Sequence, residues 1–382
     1  RHYHPSNSFF YTYGNLPLME HLRIIHDKVL KHHDRIDPNT TVMPQPRWKE
    51  PRRATYWYPL DSGTDASKKS QVCVTWLACD IQDAFQILVF KLLEQILLGN
   101  SASPLRKALM DSALGSALSD GTGFDADNRD TLFACGLKDV AESDAEKIES
   151  IVLTVLQKLV EEGIDNHLVD AAIHQVEFHR KEITNTPYPY GIKLLLSFVG
   201  NCLHGGSSES VLKFDKDLDK IRKEVADKGF FEKQIKRYLL DNPHRALVVL
   251  SPDTALEEKE TKRVVLELDE TKNTLDEASL VRIREDAEAL AVLQETAEDI
   301  SVLPTLGLAD IPADIHSTPE SRCSGTTTAT CYNQPTSGIF YTTTAMGIRS
   351  LDVVQLPLVP FFCYALPRMG TQKHEFTEIV QR

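Results

Sequence analysis

Residues 83–98 set the strongest constraint on how this chain can fold. Ala84, Ile87, Leu88, Val89, Phe90, Leu92, Leu93, Ile96 and Leu97 surround a helix-length segment on nearly every side, and only Lys91, Glu94 and Gln95 give it a polar stripe. A helix that is apolar almost all round must be buried between other layers. The flanking sequence supplies those layers. Residues 71–79 (QVCVTWLAC) are apolar and β-branched, as a strand covered on both faces tends to be. Gly99-Asn100-Ser101-Ala102-Ser103-Pro104 reads as a helix stop followed by a helix start, with Pro at the first helical position. A short helix over 105–112, a glycine-punctuated loop over 115–123 and a returning strand over 131–137 follow. We read 71–140 as one packing unit, not as a catalytic loop.

The rest of the chain arranges itself around that unit. Residues 9–14 (FFYTYG) are aromatic and β-prone, and 16–36 read as a helix with Leu18, Leu22, Ile25, Val29 and Leu30 on one face. Pro38, Pro44, Pro46 and Pro51 break periodicity over 37–53, which we read as a linker. A second domain is expected over 54–251, with strands at 54–60 and 71–79. Ser143-Asp144-Ala145-Glu146 has the pattern of a capping box. Behind it Ile148, Ile151, Val152, Val155, Leu156 and Leu159 form the cleanest amphipathic stripe in the chain. Further helices are expected over 165–183, 190–203, 211–225 and 230–240, and a closing strand over 246–250. From 254 to 299 Pro and Gly are absent and Glu, Lys, Leu and Ala dominate. Thr274-Leu275-Asp276-Glu277 has a second capping-box pattern, so 252–300 reads as an antiparallel helical hairpin turning near Asn273. Pro304, Gly307 and Pro312 mark a connector. Strands at 322–332 and 339–346, with helices at 353–365 and 376–381, would open a further α/β unit within 301–382. Residues 1–36 would close a preceding one. The expected fold class is α+β: repeated α/β domains with helices packed on a mostly antiparallel sheet, joined by a helical hairpin.

The totals exclude some functions. The formal net charge of -13 argues against a nucleic-acid binder, which needs a basic surface. No apolar run approaches the roughly 18–20 residues needed to span a bilayer. The seven cysteines, Cys73, Cys79, Cys135, Cys202, Cys323, Cys331 and Cys363, form no C-x-x-C pair. They read as reduced thiols, mostly core filler, in a non-secretory compartment. A bridge between Cys323 and Cys331 has only their spacing of eight in its favour.

Thirteen histidines invite a metal search. His174-Gln175-Val176-Glu177-Phe178-His179 comes nearest to a zinc motif, but a helical site needs His at i and i+4. At i+5 the second ring sits about 140° round the helix from the first. His21 and His26 fail by the same spacing. His167, Asp170 and His174 share a face at i, i+3 and i+7, a spacing that chance supplies at this density of Asp and His. His2 and His4 would lie on one side of a strand. Ser101 and Ser103 are better explained as helix caps than as nucleophiles. Gly121-Thr122-Gly123 lacks a nucleotide fingerprint.

LLGNSASPLRKALMDSALG (97–115) followed by GTGFDADNRDTLFACGLKDV (121–140) resembles the presequence protease branch of the pitrilysin/insulinase-like zinc metallopeptidases. YHPSNSFFYTYGNLPL (3–18), YLLDNPHRALVVLSPD (238–253), LPTLGLADIP (303–312) and QPTSGIFY (334–341) extend the resemblance, in order, along essentially the whole chain. The resemblance implies zinc held by two histidines of an HxxEH motif and a later glutamate, with the motif glutamate as base. It also implies an Arg and a Tyr from a fourth domain that hold substrate. HxxEH is not in this chain. On this alignment the zinc residues fall before Arg1 and the Arg/Tyr pair after Arg382. No catalytic, cofactor-binding or metal residue is therefore assigned here. Ala113-Leu114-Gly115 stands where the family usually has Gly-Leu-Gly, a change of local backbone freedom only.

By resemblance, residues 1–36 end a first, catalytic domain, 54–251 form the second, 252–300 are a hinge and 301–382 open the third. The implied whole is a zinc metalloendopeptidase, monomeric and located in the mitochondrial matrix. It would degrade short unstructured peptides such as presequences inside a chamber for which this segment is wall and hinge. The acidic balance suits Arg-rich targeting peptides. Neither nucleic acid nor membrane is an expected partner. The alternative is a non-catalytic scaffold or peptide-binding relative.

Overall fold

The computed structural model describes residues 2–185, 187–227, 229–297, 300–303, 305–315, 317–323 and 329–381. Its contacts divide into two units, one of residues 1–253 with 337–382 and one of 254–336. In the first unit, helix α1 (Leu18–Lys28) precedes strands β1 (Arg52–Pro59) and β2 (Ser70–Asp80). Helices α2 (Ala84–Leu98) and α3 (Pro104–Asp111) follow, then strands β3 (Ala117–Leu118), β4 (Gly123–Asp125) and β5 (Asp130–Val140). Helices α4 (Ala145–Glu162), α5 (Asn166–Lys181), α6 (Tyr190–Leu203), α7 (Ser208–Leu212), α8 (Phe214–Ala226) and α9 (Phe230–Ile235) lead to β6 (Arg245–Asp253).

The sheet runs in the order β1-β6-β2-β5-β3, with β4 also paired to β5. Only β1 and β6 are parallel, and every other pairing in it is antiparallel. The fold is α+β. Val72, Val74 and Trp76 of β2, Phe133, Cys135 and Leu137 of β5, and Leu247 and Val249 of β6 make one continuous apolar face. Helices α2, α3 and α4 pack into the same core through Val89, Leu93, Ile96, Leu105, Leu109, Ile148, Val152 and Leu156. The Phe90 ring stacks on Phe124 at 5.1 Å and meets Phe133 at 6.4 Å and Tyr238 at 5.3 Å, so α2 is sealed against sheet and helices alike. Its start is capped by Asp83, whose carboxylate accepts the Gln86 N–H at 3.0 Å. A π-helical turn at Lys236–Leu240 follows α9, and the Leu239 carbonyl there accepts the indole N–H of Trp76 at 2.8 Å.

Several expectations are corrected. Residues 9–14 form no strand. Their aromatic rings pack on α6 instead, Phe9 and Tyr11 edge-on to Phe198 and Tyr13 edge-on to Tyr190. The helix expected over 16–36 stops at Lys28 and continues only as a 3-10 turn at Leu30–His32. The helix expected over 211–225 is broken at Lys213, where ψ is 43°. Ser143 does not cap α4; a 3-10 turn at Glu142–Asp144 leads into it, and Glu142 accepts a hydrogen bond from Ser251 at 2.9 Å. Ser103 is the N-cap residue of α3, but its hydroxyl accepts from Asn100 N–H and donates to the Gln95 carbonyl. It therefore closes the end of α2 rather than the start of α3. Ala113, in the place of the usual glycine, sits at φ +53°, a left-handed backbone that a Cβ makes costlier.

The second unit holds helices α10 (Leu256–Thr274) and α11 (Glu277–Glu295) and a hairpin of β7 (Glu320–Cys323) with β8 (Ala329–Tyr332). Helix α10 runs through Thr274, so the turn falls at Leu275 and Asp276, not at Asn273. The cap of α11 is Asp276, which accepts the Ser279 N–H at 2.9 Å. Neither helix buries a residue. Back in the first unit, 339–346 forms no strand, and helix there is confined to α12 (Val359–Ala365), flanked by 3-10 turns, and α13 (Phe376–Gln381). Pro304, residues 324–328 and the Cys323 side chain lie outside the described residues, and with them the Cys323–Cys331 pairing. Cys79 and Cys135 are core residues; burial pushes the Cys79 thiol up to about 12 and Cys135 up as well, so both are inert. Cys331 and Cys363 are exposed, against the expectation of core filler.

Residues 45–52 run across the end of the sheet on a set of named contacts. The Trp48 ring stacks on His244 with centroids 3.9 Å apart, and the Trp48 N–H donates to His244 Nδ1 at 3.2 Å. Arg52 lies 4.3 Å over the same indole. Arg47 pairs with the buried Asp130 at 3.0 Å, and the Gln45 N–H donates to Asp130 at 2.7 Å. Burial, then the charges of Arg47 and Arg52, lower the pKa of His244 from 6.5, and Asp130 opposes them. The unfolded chain therefore takes up this proton first as pH falls. The stability that neutral His244 contributes is complete above pH 6.5 and is lost as pH drops below it toward the folded value. Urea unfolding at a series of pH values should show His244→Gln with a shallower loss of stability below pH 6.5 than the parent chain; identical pH profiles would refute this.

Candidate functional site

The histidine candidates do not converge. On α5, Asp165 caps the helix by accepting the His167 N–H at 2.9 Å. His179 Nδ1 lies 2.8 Å from the carbonyl of Gln175 in its own helix. Glu177, between His174 and His179, pairs with Lys181 at 2.6 Å and Arg222 at 2.5 Å. The Lys181 bond is the larger cause that holds its pKa below the usual glutamate range, so it serves as a fixed anion rather than a base. His167, Asp170 and His174 are all exposed. His2 and His4 are not on a strand: His4 Nδ1 accepts the Ser6 N–H at 3.1 Å to cap the turn at Pro5–Asn7, and its ring meets His33 edge-on at 5.4 Å. Among the described residues no group of three or more His, Cys, Asp or Glu is placed to hold a metal. The donor sets in hand do not fit zinc.

What the fold does present is the second face of its sheet. Strand β2 was expected to be covered on both sides, but only Val72, Val74 and Trp76 are fully buried, and Gln71, Cys73, Thr75 and Leu77 between them are half-buried. The strand register sets these side chains in rows. Lys138, Gln71, Leu250 and Tyr56 form one row across β5, β2, β6 and β1. Gly136, Cys73, Val248 and Ala54 form the next, and Ala134, Thr75, Ala246 and Arg52 the third. The middle of the face is thus a shallow trough of small side chains. The signal for it was present in the alternation of QVCVTW, where Gln, Cys and Thr interleave with Val, Val and Trp.

One end of the trough is polar. Asp120 accepts from Lys138 at 2.7 Å and from the Gln71 amide at 2.9 Å, which hold its pKa below the usual carboxylate range, Lys138 being the larger cause. Asp139 accepts from Ser116 and from Lys69, and the Ser116 bond is the first cause of its lowered pKa. These groups are exposed and paired, and they keep their charges at neutral pH. The trough can take the side chains of an extended segment by packing and can orient a polar group at its rim. No side chain in its three rows forms a nucleophile–base pair, so the surface itself moves no proton.

A mostly antiparallel sheet, helices packed on one face and a small-residue trough on the other define a non-catalytic α+β domain. The chain belongs to the peptidase M16 family. Residues 1–176 match the family described as Peptidase M16 inactive domain, and residues 250–382 match the family described as associated with subfamily C of the M16 peptidases. Among curated relatives, the mitochondrial presequence protease of Xenopus laevis is 32% identical over 385 residues, covering 100% of this chain and 37% of the relative. Presequence protease 1, chloroplastic/mitochondrial, of Arabidopsis thaliana is 31% identical over 390 residues, covering 100% of this chain and 36% of the relative. The chain thus spans little more than a third of the length of these relatives. Among solved structures, the peptidase M16 inactive domain from Pseudomonas fluorescens is similar at 15% identity and a TM-score of 0.40, covering 57% of this chain and 47% of that one. No helix among the described residues is long and apolar enough to cross a membrane.

Proposed function

We propose that this chain is a non-catalytic segment of a zinc endopeptidase that degrades short, unstructured peptides such as mitochondrial presequences. The observation that carries the reading is the similarity to relatives named presequence protease over the whole of this chain, at 32% identity for the Xenopus laevis protein. On this reading zinc and its catalytic base come from residues outside this chain, in the same monomeric polypeptide. Residues 1–36 complete the zinc-bearing domain, 37–53 link it to the next, 54–251 are chamber wall and 301–382 begin the other half. The sheet trough faces the chamber, where its small side chains leave room for an extended peptide. The net charge of -13 favours Arg-rich, acid-poor substrates, and the compartment is the mitochondrial matrix. The α10–α11 segment, within 252–300, is the hinge between halves that must part to admit peptide and close to act.

Zinc analysis and a fluorogenic presequence-peptide assay test this on the 382-residue chain and on the longer polypeptide side by side. The longer polypeptide should hold about one zinc and cleave; this chain should do neither. Cross-linking the α10–α11 segment to the sheet-bearing domain in the longer polypeptide should depress turnover at unchanged zinc content. A longer polypeptide without zinc or activity would favour a scaffold. Stoichiometric zinc in this chain would overturn its non-catalytic role, and undiminished turnover at complete cross-linking would remove the hinge.

A further inference from the structure

The polar stripe of α2 does not face bulk solvent. Lys91 and Glu94 open into a cleft of about 720 Å³ walled by α5, α6 and α8, a size typical of small-molecule sites. Ile87, Leu88, Phe124, Val176, Leu194 and Phe214 give it an apolar lining. Two cations enter it. Lys91 has no ion-pair partner among the described residues, and its surface is exposed only in the sense that it borders the cleft. Surrounding protein lowers its pKa, the nearby Arg180 charge adds to the effect, and Glu94 and Asp127 oppose it. Arg180 donates to the Val211 carbonyl at 2.7 Å and lies 5.4 Å from the Phe214 ring, with no carboxylate bound to it. Burial lowers its pKa too.

The acids of the cleft do not neutralise this pair. Glu94 is taken up by the Phe124 N–H, which it accepts at 3.1 Å, and burial pushes its pKa up. Burial likewise raises Asp217. Two poorly solvated cations without bound counter-ions, beside acids biased toward their neutral form, leave a demand for negative charge inside an apolar cleft. A ligand anion would meet it.

We propose that this cleft binds a carboxylate carried on an apolar body, with the carboxylate between Lys91 and Arg180 and the apolar body against Phe124, Leu194 and Phe214. The chemistry is shared by a medium-chain fatty acid and by the C-terminus of an apolar dipeptide. Titration calorimetry on the 382-residue chain with decanoate, decanol, the dipeptide leucyl-phenylalanine and its C-terminal amide separates them. At least one carboxylate should bind, and its neutral analogue should bind at least about tenfold more weakly, roughly 1.4 kcal/mol. Binding of decanoate alone assigns a fatty acid, binding of the dipeptide alone a peptide terminus, and binding of both the shared group. Lys91→Met should weaken binding by about tenfold or more while circular dichroism and the unfolding midpoint stay unchanged. Lys91→Gln, which keeps a polar tip, gives the same reading if the methionine variant misfolds. No binding by either carboxylate up to about 5 mM, equal binding of acid and neutral analogue, or unchanged affinity in the Lys91 variants would overturn the site.

Discussion

Leu93→Ala is expected to lower the unfolding free energy by about 2–5 kcal/mol, the cost of lost apolar transfer plus the cavity left behind. Leu93 is 0% exposed and lies in the core between α2, the sheet and the surrounding helices. The site cannot collapse readily, because rings and branched side chains close around α2: Phe90 is locked among Phe124, Phe133 and Tyr238, and Val89, Leu92 and Ile96 are buried beside it. Urea denaturation reads the change as a lower midpoint at unchanged slope. A loss below about 1 kcal/mol would mean that α2 is not the centre of the core.

Gly136→Ala should cost about 3 kcal/mol, at the upper end of overpacking effects. A Cβ at Gly136 would stand 1.9 Å from the carbonyl oxygen of Val72 and 2.8 Å from Cys73 Cα. Both are backbone atoms of the paired strand, so no rotamer change relieves the collision. β2 and β5 must separate where the sheet is otherwise continuous, and the small-residue trough is distorted with them. Gly121→Ala is the control, since nothing lies within 4 Å of a Cβ there, and it should stay within about 0.5 kcal/mol of the parent. Equal stability of the two variants would show that the strands can part at little cost.

The helices α2 and α4 were legible because their apolar residues recur at helical spacing with few polar interruptions. The sheet was legible in its strands and misleading in its faces. Cys73, Thr75 and Leu77 read as apolar when the question was which side each would occupy, and their half-buried row emerges only from the register with β5 and β6. The segment 9–14 failed for a related reason. Aromatic residues favour strands when a partner strand is at hand, and here α6 offers ring contacts instead. The break at Lys213 carries no Gly or Pro. It depends on tertiary contacts, since it leaves the Val211 carbonyl near the end of α7 to accept Arg180, while Arg180 itself lies over the Phe214 ring. The same distance in sequence hid the cleft: Lys91 and Glu94 looked like a solvent stripe, and nothing in the order of residues says that Arg180 lies near them.

The parallel pairing of β1 with β6 has a mechanical side. The two strands lie in register from Arg52 beside Ala246 to Pro59 beside Asp253, eight pairs in all. The chain enters this pair at the Arg52 end and leaves it at the Asp253 end. Tension between the preceding and following segments therefore pulls the two strands in opposite senses along their length. That loads the hydrogen bonds of the pair together in shear instead of peeling them apart one at a time. The sheet joins its neighbours in the chain through the pairing best arranged to carry such a pull without coming apart.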